Sequence, residues 1–355
     1  MSGAGRLLVV WDPRVGVHAD TAARLAQATA GRRDWSVDFV IDSAASVPRH
    51  VEAVRPDVLL VAPHASEDID GEFGVPCVRF DLVERAADRS SALAYHVRGL
   101  GLDGLPWALA AAMNATESPR AQRVTYGPHE SQFVDFRQPE VPARATALLL
   151  HGGFYRSYWQ SFLMEDVAID LARRGWLSAN VEFRRPDRHG WVAMQQDLGS
   201  AHSEVLKRAV GPVVIFGHSA GGQLALQLGE SGRPMPDLCV SLTGVVDLAA
   251  AHDRGMGDGA VAAAMGSPRT HPSEYQEASP IAFTGRQCEW LLVETESDSW
   301  DLQEMNQRLS LSDALRRPEL LMAPGDHFSV IDPSSVVWKA TLSRVCRVVG
   351  MDFEE

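Results

Sequence analysis

Residues 212–229 read PVVIFGHSAGGQLALQLG, a short apolar run followed by a serine between glycines and then by small and apolar residues. The run Val213–Phe216 predicts a buried strand, and the residues from Gly222 onward predict a helix. Between them lies Gly217-His218-Ser219-Ala220-Gly221, a G-x-S-x-G motif. In a strand–turn–helix setting this motif is typical of a strained turn that exposes the serine hydroxyl. We therefore predict that Ser219 is a nucleophile at the end of a strand.

The chain from about residue 123 onward alternates apolar runs with amphipathic stretches. A leading hairpin and near-continuous apolar strands predict a mostly parallel sheet that is covered on both faces. The predicted strands are Arg123–Tyr126, Gln132–Arg137, Ala145–Leu150, Leu177–Val181, Val213–Phe216, Leu238–Leu242, Trp290–Glu294 and Leu320–Met322. The predicted helices are Phe162–Arg174, Val192–Ala209, Gln223–Gly229, Leu302–Arg316 and Ser334–Val348. With the serine turn in its middle, this order predicts the α/β-hydrolase fold.

A second glycine motif, His151-Gly152-Gly153-Phe154, follows the predicted strand Ala145–Leu150. In this fold the corresponding loop lies beside the serine turn and binds the negatively charged oxygen of the reacting acyl group. We predict that the N–H of Gly153 or Phe154, together with that of Ala220, forms this oxyanion hole. Loss of one such donor typically costs about 3–4 kcal/mol of transition-state stabilisation. The alternative interpretation of the motif is a flexible turn.

The general base is predicted at His327, within residues 322–333, MAPGDHFSVIDP. This histidine follows the last predicted strand and precedes the last helix, where the third member of the triad stands in this fold. Other histidines fit less well. The side chain of His218, next to the serine, is expected to point away from it, and His252 and His271 lie in a Gly/Pro-rich excursion that resembles a cap.

The acid that orients the imidazole is expected after the strand preceding that of His327. Here the sequence offers Glu296, Asp298 and Asp301. We favour Asp298 because it comes four residues beyond the predicted strand end, far enough to curl back toward the imidazole. Asp247 is the alternative for hydrolases that use the previous strand, although a carboxylate that binds local backbone N–H groups in a turn explains it more simply.

Aromatic side chains are concentrated in sequence around these motifs. Such a concentration fits an aromatic substrate pocket, although buried aromatic residues are also common in the core of α/β folds. The predicted substrate-binding residues are His151, Gly152, Tyr155, Tyr158, Trp159, Trp191, His218, Trp300 and Phe328.

Composition excludes several classes of function. The 355 residues carry a formal net charge of −13, which argues against non-specific binding to nucleic acid or anionic membranes. The sequence shows neither a signal peptide nor an apolar stretch near the roughly 18 residues of a spanning helix. The four cysteines are widely separated and lack zinc-site spacing, which favours reduced thiols in a cytoplasm. We expect a cytoplasmic protein that acts on a small molecule without a metal or cofactor, with a homo-oligomer left open.

Residues 5–115 have a different pattern, in which short apolar runs alternate with helical stretches as in a small parallel sheet. The predicted strands are Leu7–Trp11, Val37–Ile41, Val58–Val61 and Val75–Phe80, and the predicted helices are Asp20–Ala30 and Val47–Val54. The polar segment Thr116–Gln122 has the composition of a linker. We predict a small flavodoxin-like α/β domain over residues 1–115, a linker over 116–122 and the hydrolase domain over 123–355.

This front region also contains Gly99-x-Gly101-x-x-Gly104, which has the spacing of a dinucleotide-binding loop. Such a loop should follow the first strand of a βαβ unit and be trailed by a ribose-binding acid. Here the glycines come late and precede a single helix, so we interpret them as a tight strand–helix turn and expect no NAD.

Several motifs of residues 123–350 together resemble the kynurenine formamidase-like branch of the α/β hydrolases. They are YGPHESQFVDFRQP at 126–139, HGGFYRSYW at 151–159, GHSAGG at 217–222, SLTGVVDL at 241–248, EASPI at 277–281, SDS at 297–299 and DHFSVID at 326–332. The resemblance implies hydrolysis of an N-formyl group on an arylamine such as N-formylkynurenine, and it supports the roles of Ser219, Asp298 and His327. One residue departs from the pattern, because Tyr155 stands where the family usually has Trp.

Residues 37–65, 74–82 and 99–112 resemble the type II dehydroquinase pattern, which is a flavodoxin-like sheet. The catalytic parts do not match. Trp11-Asp12-Pro13 stands in place of Gly-Pro-Asn, and Ala62-Pro63-His64 stands in place of Asn-Pro-Gly. The resemblance therefore implies a non-catalytic module that shapes the hydrolase pocket or an oligomer interface.

The leading hypothesis is a formamidase or related arylamidase with a Ser-His-Asp triad and an acyl-enzyme intermediate. A carboxylesterase that acts on small or aromatic esters is the alternative. A third hypothesis, a non-hydrolytic acyl-transfer, cyclising or binding scaffold in a biosynthetic pathway, is less well supported. A binding scaffold has no need for a nucleophile, a base and an acid together.

Overall fold

The computed structural model describes residues 5–69, 71–84, 93–232 and 234–352. The chain divides into two compact units, Met1–Arg120 and Ala121–Glu355, here called unit 1 and unit 2. The first strand of unit 2 begins at Ala121, so the last residues of the segment predicted as a linker, 116–122, belong to that strand.

Unit 1 is an α/β unit built on a parallel sheet. In the order β2-β1-β3-β4-β5 its strands form a flavodoxin-like arrangement, with β1 and β3 apolar and almost completely buried. The strands are β1 Arg6–Trp11, β2 Ser36–Ile41, β3 Val58–Ala62, β4 Cys77–Asp81 and β5 Leu93–Arg98. The helices are α1 Ala19–Gly31, α2 Val47–Val54 and α3 Leu105–Asn114.

The glycines of the Gly99–Gly104 segment connect β5 to α3. Gly99 and Gly101 have φ angles of 73° and 57°, which glycine adopts at little cost. A 3₁₀ turn over Gly101–Gly104 then leads directly into α3. The segment is therefore the tight strand–helix turn that the sequence predicts, and it follows the last strand of the sheet described here.

Unit 2 has a mostly parallel sheet in the order β13-β12-β11-β10-β8-β9-β7-β6, with β7 antiparallel to both of its neighbours. This is the α/β-hydrolase fold that the strand pattern predicts. The strands are β6 Ala121–Thr125, β7 Phe133–Arg137, β8 Ala145–Leu150, β9 Trp176–Glu182, β10 Val213–His218, β11 Leu238–Leu242, β12 Glu289–Thr295 and β13 Glu319–Ala323.

The helices of unit 2 cover this sheet. They are α4 Glu165–Arg173, α5 Pro186–His189, α6 Trp191–Leu206, α7 Ala220–Ser231, α8 Leu248–Asp253, α9 Met256–Met265, α10 Pro272–Ala278, α11 Trp300–Ser310 and α12 Val336–Val348. Four of the five predicted helices are shorter than expected: the one predicted to reach Ala209 ends at Leu206, and the one predicted from Ser334 begins at Val336. The first residues of Phe162–Arg174 lie in a 3₁₀ turn over Ser161–Met164, and the helix predicted to reach Arg316 ends at Ser310.

Alternate side chains of the central strands pack into two separate hydrophobic clusters. On β8, Leu148 and Leu150 join one cluster, whereas Leu149 joins the other together with Phe216 of β10. Burial of one such side chain contributes about 1.5–3 kcal/mol to folding. Apolar packing on both faces holds the strands of the sheet in place. The parallel strands β8, β10, β11, β12 and β13 all end at the same edge of this sheet.

Candidate active site

Ser219 lies in a sharp turn between β10 and α7. Its backbone has φ 54° and ψ −119°, a strained combination for a residue with a side chain. A Cβ on Gly217 would collide with the carbonyl oxygen of Gly221, and one on Gly221 would collide with that of Leu150. Only glycine fits at these positions, which explains the spacing of the motif.

The His151–Phe154 loop lies against this turn. A Cβ on Gly152 would come 2.9 Å from the Cβ of Ser219, and one on Gly153 would enter the ring of Trp159. Gly153, Phe154 and Tyr155 have consecutive positive φ angles of 105°, 48° and 62°. The loop is therefore a strained segment held next to the serine, as a functional loop often is.

The backbone N–H groups predicted as oxyanion donors have no acceptor among the residues that the structure describes. In the described parts of the chain, no hydrogen bond uses the N–H of Gly153, of Phe154 or of Ala220, the first residue of α7. The first N–H groups of a helix, such as that of Ala220, have no partner within the helix, and Gly153 and Phe154 are partly exposed. Unpaired N–H groups beside the serine can therefore serve an oxygen atom of a bound molecule.

His327 follows β13 and contacts Asp298, which follows β12. The imidazole Nδ1 lies 2.8 Å from Oδ2 of Asp298, whose side chain is 4% exposed. Because a carboxylate only accepts hydrogen bonds, Nδ1 carries the proton and Nε2 is the acceptor nitrogen. Asp326 shapes the loop, since its Oδ1 accepts hydrogen bonds from the N–H groups of Phe328 and Ser329.

Two of the three alternative acids, Asp247 and Asp301, have other partners. Asp247 caps α8, with the N–H of Ala250 donating to its Oδ1 at 2.9 Å, and it forms an ion pair with Arg308. Asp301 pairs with Arg254 at 2.7 Å. These contacts match the local, structural interpretation of Asp247 that the sequence suggests.

His151 and His218 are both buried, at 1% exposure each. His218 donates from Nε2 to the carbonyl oxygen of His327 at 3.0 Å, because a carbonyl cannot donate. Burial, with a smaller contribution from His327, lowers the pKa of His218 to about 3, so the ring is neutral. His151 donates from Nδ1 to the carbonyl oxygen of Gly152 at 2.8 Å and stacks on Phe183. Both rings therefore support the backbone around the site.

The predicted aromatic pocket residues differ in how exposed they are. Tyr155 is a core residue, 3% exposed, with its hydroxyl donating to Gln223 at 2.9 Å and its ring against Trp191. Trp300 and Phe328 are open, at 71% and 40% exposure. The ring of Phe328 lies 5.7 Å from that of His218, whereas Trp300 stacks with the Arg254 guanidinium. The partly buried Tyr158 and Trp159 lie in the loop after Gly153.

Three further residues near this site were not found from the sequence. Thr243, directly after β11, places Oγ1 3.3 Å from Nδ1 of His327. Glu294 of β12 is buried four residues before Asp298. Gly257, at the start of α9, packs against the ring of Phe154. Strand pairing brings Thr243 and Glu294 close to the proposed site, and the path of the chain brings the start of α9 against Phe154. Neither kind of contact leaves a motif in the sequence.

Comparisons with known proteins identify a family. A family model described as "Alpha/beta hydrolase family" matches residues 147–352. In sequence, no curated protein matches the chain. None of the helices that the structure describes is long and apolar enough to cross a membrane.

Several similar solved structures carry esterase names. A truncated carbohydrate esterase from gut microbiota is 18% identical, with a TM-score of 0.53 over 64% of this chain and 95% of that one. An esterase/lipase from an uncultured bacterium is 20% identical, with a TM-score of 0.52 over 65% and 84%. An esterase from Thermogutta terrifontis is 17% identical, with a TM-score of 0.51 over 65% and 92%. These identities support the fold alone, but the family model spans more than half of the sequence, and the chain therefore belongs to the alpha/beta hydrolase family and is a hydrolase.

Proposed function

We propose that the protein is a serine hydrolase that cleaves a carboxylic ester, with Ser219 as nucleophile, His327 as general base and Asp298 as the orienting acid. The observation that carries the proposal is the 2.8 Å contact between His327 Nδ1 and Asp298 Oδ2, at the same sheet edge as the strained Ser219 turn. An imidazole oriented in this way has its Nε2 available to accept a proton.

The reaction takes place in two acyl transfers. Ser219 Oγ attacks the carbonyl carbon while its proton passes to His327 Nε2, and the N–H groups of Ala220 and of Gly153 or Phe154 bind the oxyanion. The C–O bond to the leaving alcohol then breaks, and the alcohol takes the proton from Nε2. A water molecule then attacks the acyl carbon while its proton passes to His327 Nε2. The bond between that carbon and Ser219 Oγ breaks, the carboxylic acid leaves, and Nε2 returns the proton to Oγ.

An N-formyl arylamine is the second candidate substrate, and the formamidase-like motifs favour it. The presence of Tyr155 where the family usually has Trp bears little on the choice between the two substrates. Tyr155 is a buried core residue whose hydroxyl donates a hydrogen bond to Gln223. The ester is placed first because the similar solved structures carry esterase names. Both substrates use the same nucleophile, base and oxyanion donors.

Turnover of both substrates by the full chain and by its Ser219→Ala variant tests the proposal. We expect the wild type to cleave a p-nitrophenyl ester of a short acid. Ser219→Ala should lose at least about 10³-fold in kcat, because the residual rate comes from binding and the oxyanion hole alone. A fluorophosphonate probe should label the wild type and leave the variant unlabelled.

The two substrates separate the candidate functions. Faster turnover of N-formylkynurenine than of the ester, measured as kcat/KM, moves the assignment to a formamidase. A wild-type chain that cleaves neither substrate and does not react with the probe contradicts the triad and favours a binding scaffold.

We also propose that unit 1 is a separate domain without a catalytic role. At the end of β1, the carboxylate of Asp12 accepts hydrogen bonds from the backbone N–H and the guanidinium of Arg14. Arg14 lowers the pKa of Asp12, which keeps that carboxylate charged and unsuited to donating a proton. A cavity of about 370 Å³ nearby is lined by Trp11, Val17, Ile41 and their neighbours. Unit 1 assayed for dehydroquinase activity should show none.

A further inference from the structure

Thr243 occupies a strained position at the edge of the sheet. It follows the last residue of β11, and its φ of 48° is rare for a β-branched residue. Its N–H donates to the carbonyl oxygen of Val293 in β12 at 2.8 Å, and its side chain is completely buried. A strained residue persists only where the surrounding structure holds it, and such residues cluster at functional sites.

The hydroxyl of Thr243 faces the imidazole. In the described part of the chain, its one hydrogen-bond partner is Nδ1 of His327, at 3.3 Å from Oγ1. Nδ1 carries a proton because it also faces the carboxylate of Asp298 at 2.8 Å. Oγ1 therefore accepts, and one N–H is shared between a close carboxylate and a more distant hydroxyl.

The segment that carries Thr243 also supports the serine. The N–H of Val245 donates to the carbonyl oxygen of Ser219 at 3.3 Å, and a Cβ on Gly222 would come 2.8 Å from the Cα of Gly244. Buried Asn306 holds the segment from behind, by donating to the carbonyl oxygen of Gly244 at 2.8 Å. One short segment thus contacts the residues proposed as nucleophile and base.

We propose that Thr243 is a positioning residue, whose hydroxyl is a second acceptor for the Nδ1–H of His327 and fixes the plane of the imidazole. This proposal rests on the role proposed for His327. The carboxylate contact alone leaves the tilt of the ring to its contacts with the rings of His218 and Phe328, whose centroids lie 4.8 Å and 5.4 Å away. A second acceptor on a rigid, buried side chain fixes this tilt and, with it, the direction in which Nε2 points.

Thr243→Val and Thr243→Ser test the proposal in the full chain. Valine keeps the shape and the branching but loses the hydroxyl, whereas serine keeps the hydroxyl. With the p-nitrophenyl ester, we expect Thr243→Val to lose about five- to tenfold in kcat, as for one neutral hydrogen bond, with KM within about twofold of wild type. Thr243→Ser should stay within about twofold of wild type in kcat, since its hydroxyl still accepts the bond.

Thr295→Val is the matched control. Thr295 is also a buried threonine at the end of a neighbouring strand, and its hydroxyl has no hydrogen-bond partner in the part of the chain that the structure describes. Its replacement by valine should leave kcat unchanged. Equal losses in Thr295→Val and Thr243→Val would overturn the proposal, as would equal losses in Thr243→Val and Thr243→Ser.

The low-field proton resonance of the imidazole Nδ1–H gives a second readout that needs no substrate. It is assigned by its loss in His327→Ala, and it should shift in Thr243→Val and stay in place in Thr243→Ser and Thr295→Val. An unmoved resonance with wild-type kcat overturns the proposal. If the wild type cleaves no ester, the function proposed above fails, while the resonance still tests the contact. Should Thr243→Val fail to fold, Thr243→Ala replaces it in the comparison with serine.

Discussion

Glu294 is a carboxyl group buried beneath the proposed site. Its side chain is completely buried on β12, and one oxygen accepts a hydrogen bond from Asn306 at 2.7 Å. The other oxygen has no partner in the part of the chain that the structure describes. Burial, reinforced by the charge of Asp298, raises the pKa of Glu294 to about 9. A neutral carboxyl group here spares the protein an uncompensated buried charge, which would be far more costly.

Replacement of Glu294 by glutamine should change how stability depends on pH. The unfolded carboxyl ionises near 4.5 and the folded one near 9, so its contribution to stability is complete below about pH 4.5 and is lost as the pH rises toward 9. Glu294→Gln removes this loss. We expect its Tm to exceed that of the wild type by at least about 3 °C at pH 8, since 1 kcal/mol shifts Tm by about 2–4 °C at this size.

In thermal scans at pH 4.5, the Tm values of the wild type and of Glu294→Gln should differ least. Glu296→Gln is the control, because Glu296 is exposed on the following loop and its replacement should leave the curve unchanged. A Tm difference for Glu294→Gln that is constant from pH 4.5 to pH 8 would contradict a protonated Glu294.

At the scale of elements, α9 is linked to the proposed oxyanion loop. Its first turn is not helical, with positive φ angles at Gly257, Asp258 and Gly259. The carbonyl oxygen of Asp258 accepts a hydrogen bond from Arg156 at 3.2 Å, and the ring of Phe154 packs on Gly257. The kink at Gly257 therefore leaves room for the ring of Phe154, whose backbone N–H is a proposed oxyanion donor.

Alanine at Gly257 should disturb this loop, whereas alanine at Gly259 should not. A Cβ at Gly257 would come 2.6 Å from the ring of Phe154, while one at Gly259 would meet nothing within 4 Å. Both positions have positive φ, so each variant should lose about 1–2 kcal/mol of stability. In ester assays we expect Gly257→Ala alone to lose about tenfold or more in kcat, approaching the 10²–10³ typical of a lost oxyanion donor. Equal kcat in the two variants would contradict the link.

Elements with a clear apolar period could be predicted from the sequence, whereas β5, α9 and the short helices α5, α8 and α10 were not predicted. β5 was missed because Tyr95, His96 and Arg98 interrupt its apolar residues. In the structure, the buried carboxylate of Asp81 pairs with both His96 and Arg79, and no local sequence pattern indicates this cluster. α9 was missed because glycines dominate its first turn.

The positions of Ser219, Asp298 and His327 could be predicted because each follows a strand that has a recognisable apolar pattern. In this fold the ends of these strands lie at one edge of the sheet. Thr243 also follows such a strand. A threonine after a strand does not by itself indicate a role in the site, however. The proposed role of Thr243 depends on a contact with His327, which lies 84 residues away in the sequence.

At the scale of the whole molecule, the features that the proposed chemistry requires lie in unit 2. Ser219, His327, Asp298 and both glycine motifs belong to Ala121–Glu355, and the family model matches residues 147–352 of the same unit. Unit 1 has its own sheet and its own apolar cluster around β1 and β3. A compact unit with its own core can in principle fold alone.

Residues 121–355 expressed alone should therefore fold and hydrolyse the ester. We expect kcat within about threefold of the full chain, because unit 2 supplies the nucleophile, the base, the acid and the proposed oxyanion donors itself. Circular dichroism and fluorophosphonate labelling check folding and the serine, and kcat and KM are compared with those of the full chain. Residues 1–120 alone should fold without hydrolysing the ester. A folded, probe-reactive unit 2 with a much higher KM would instead mean that unit 1 contributes to substrate binding, as the sequence resemblance allows.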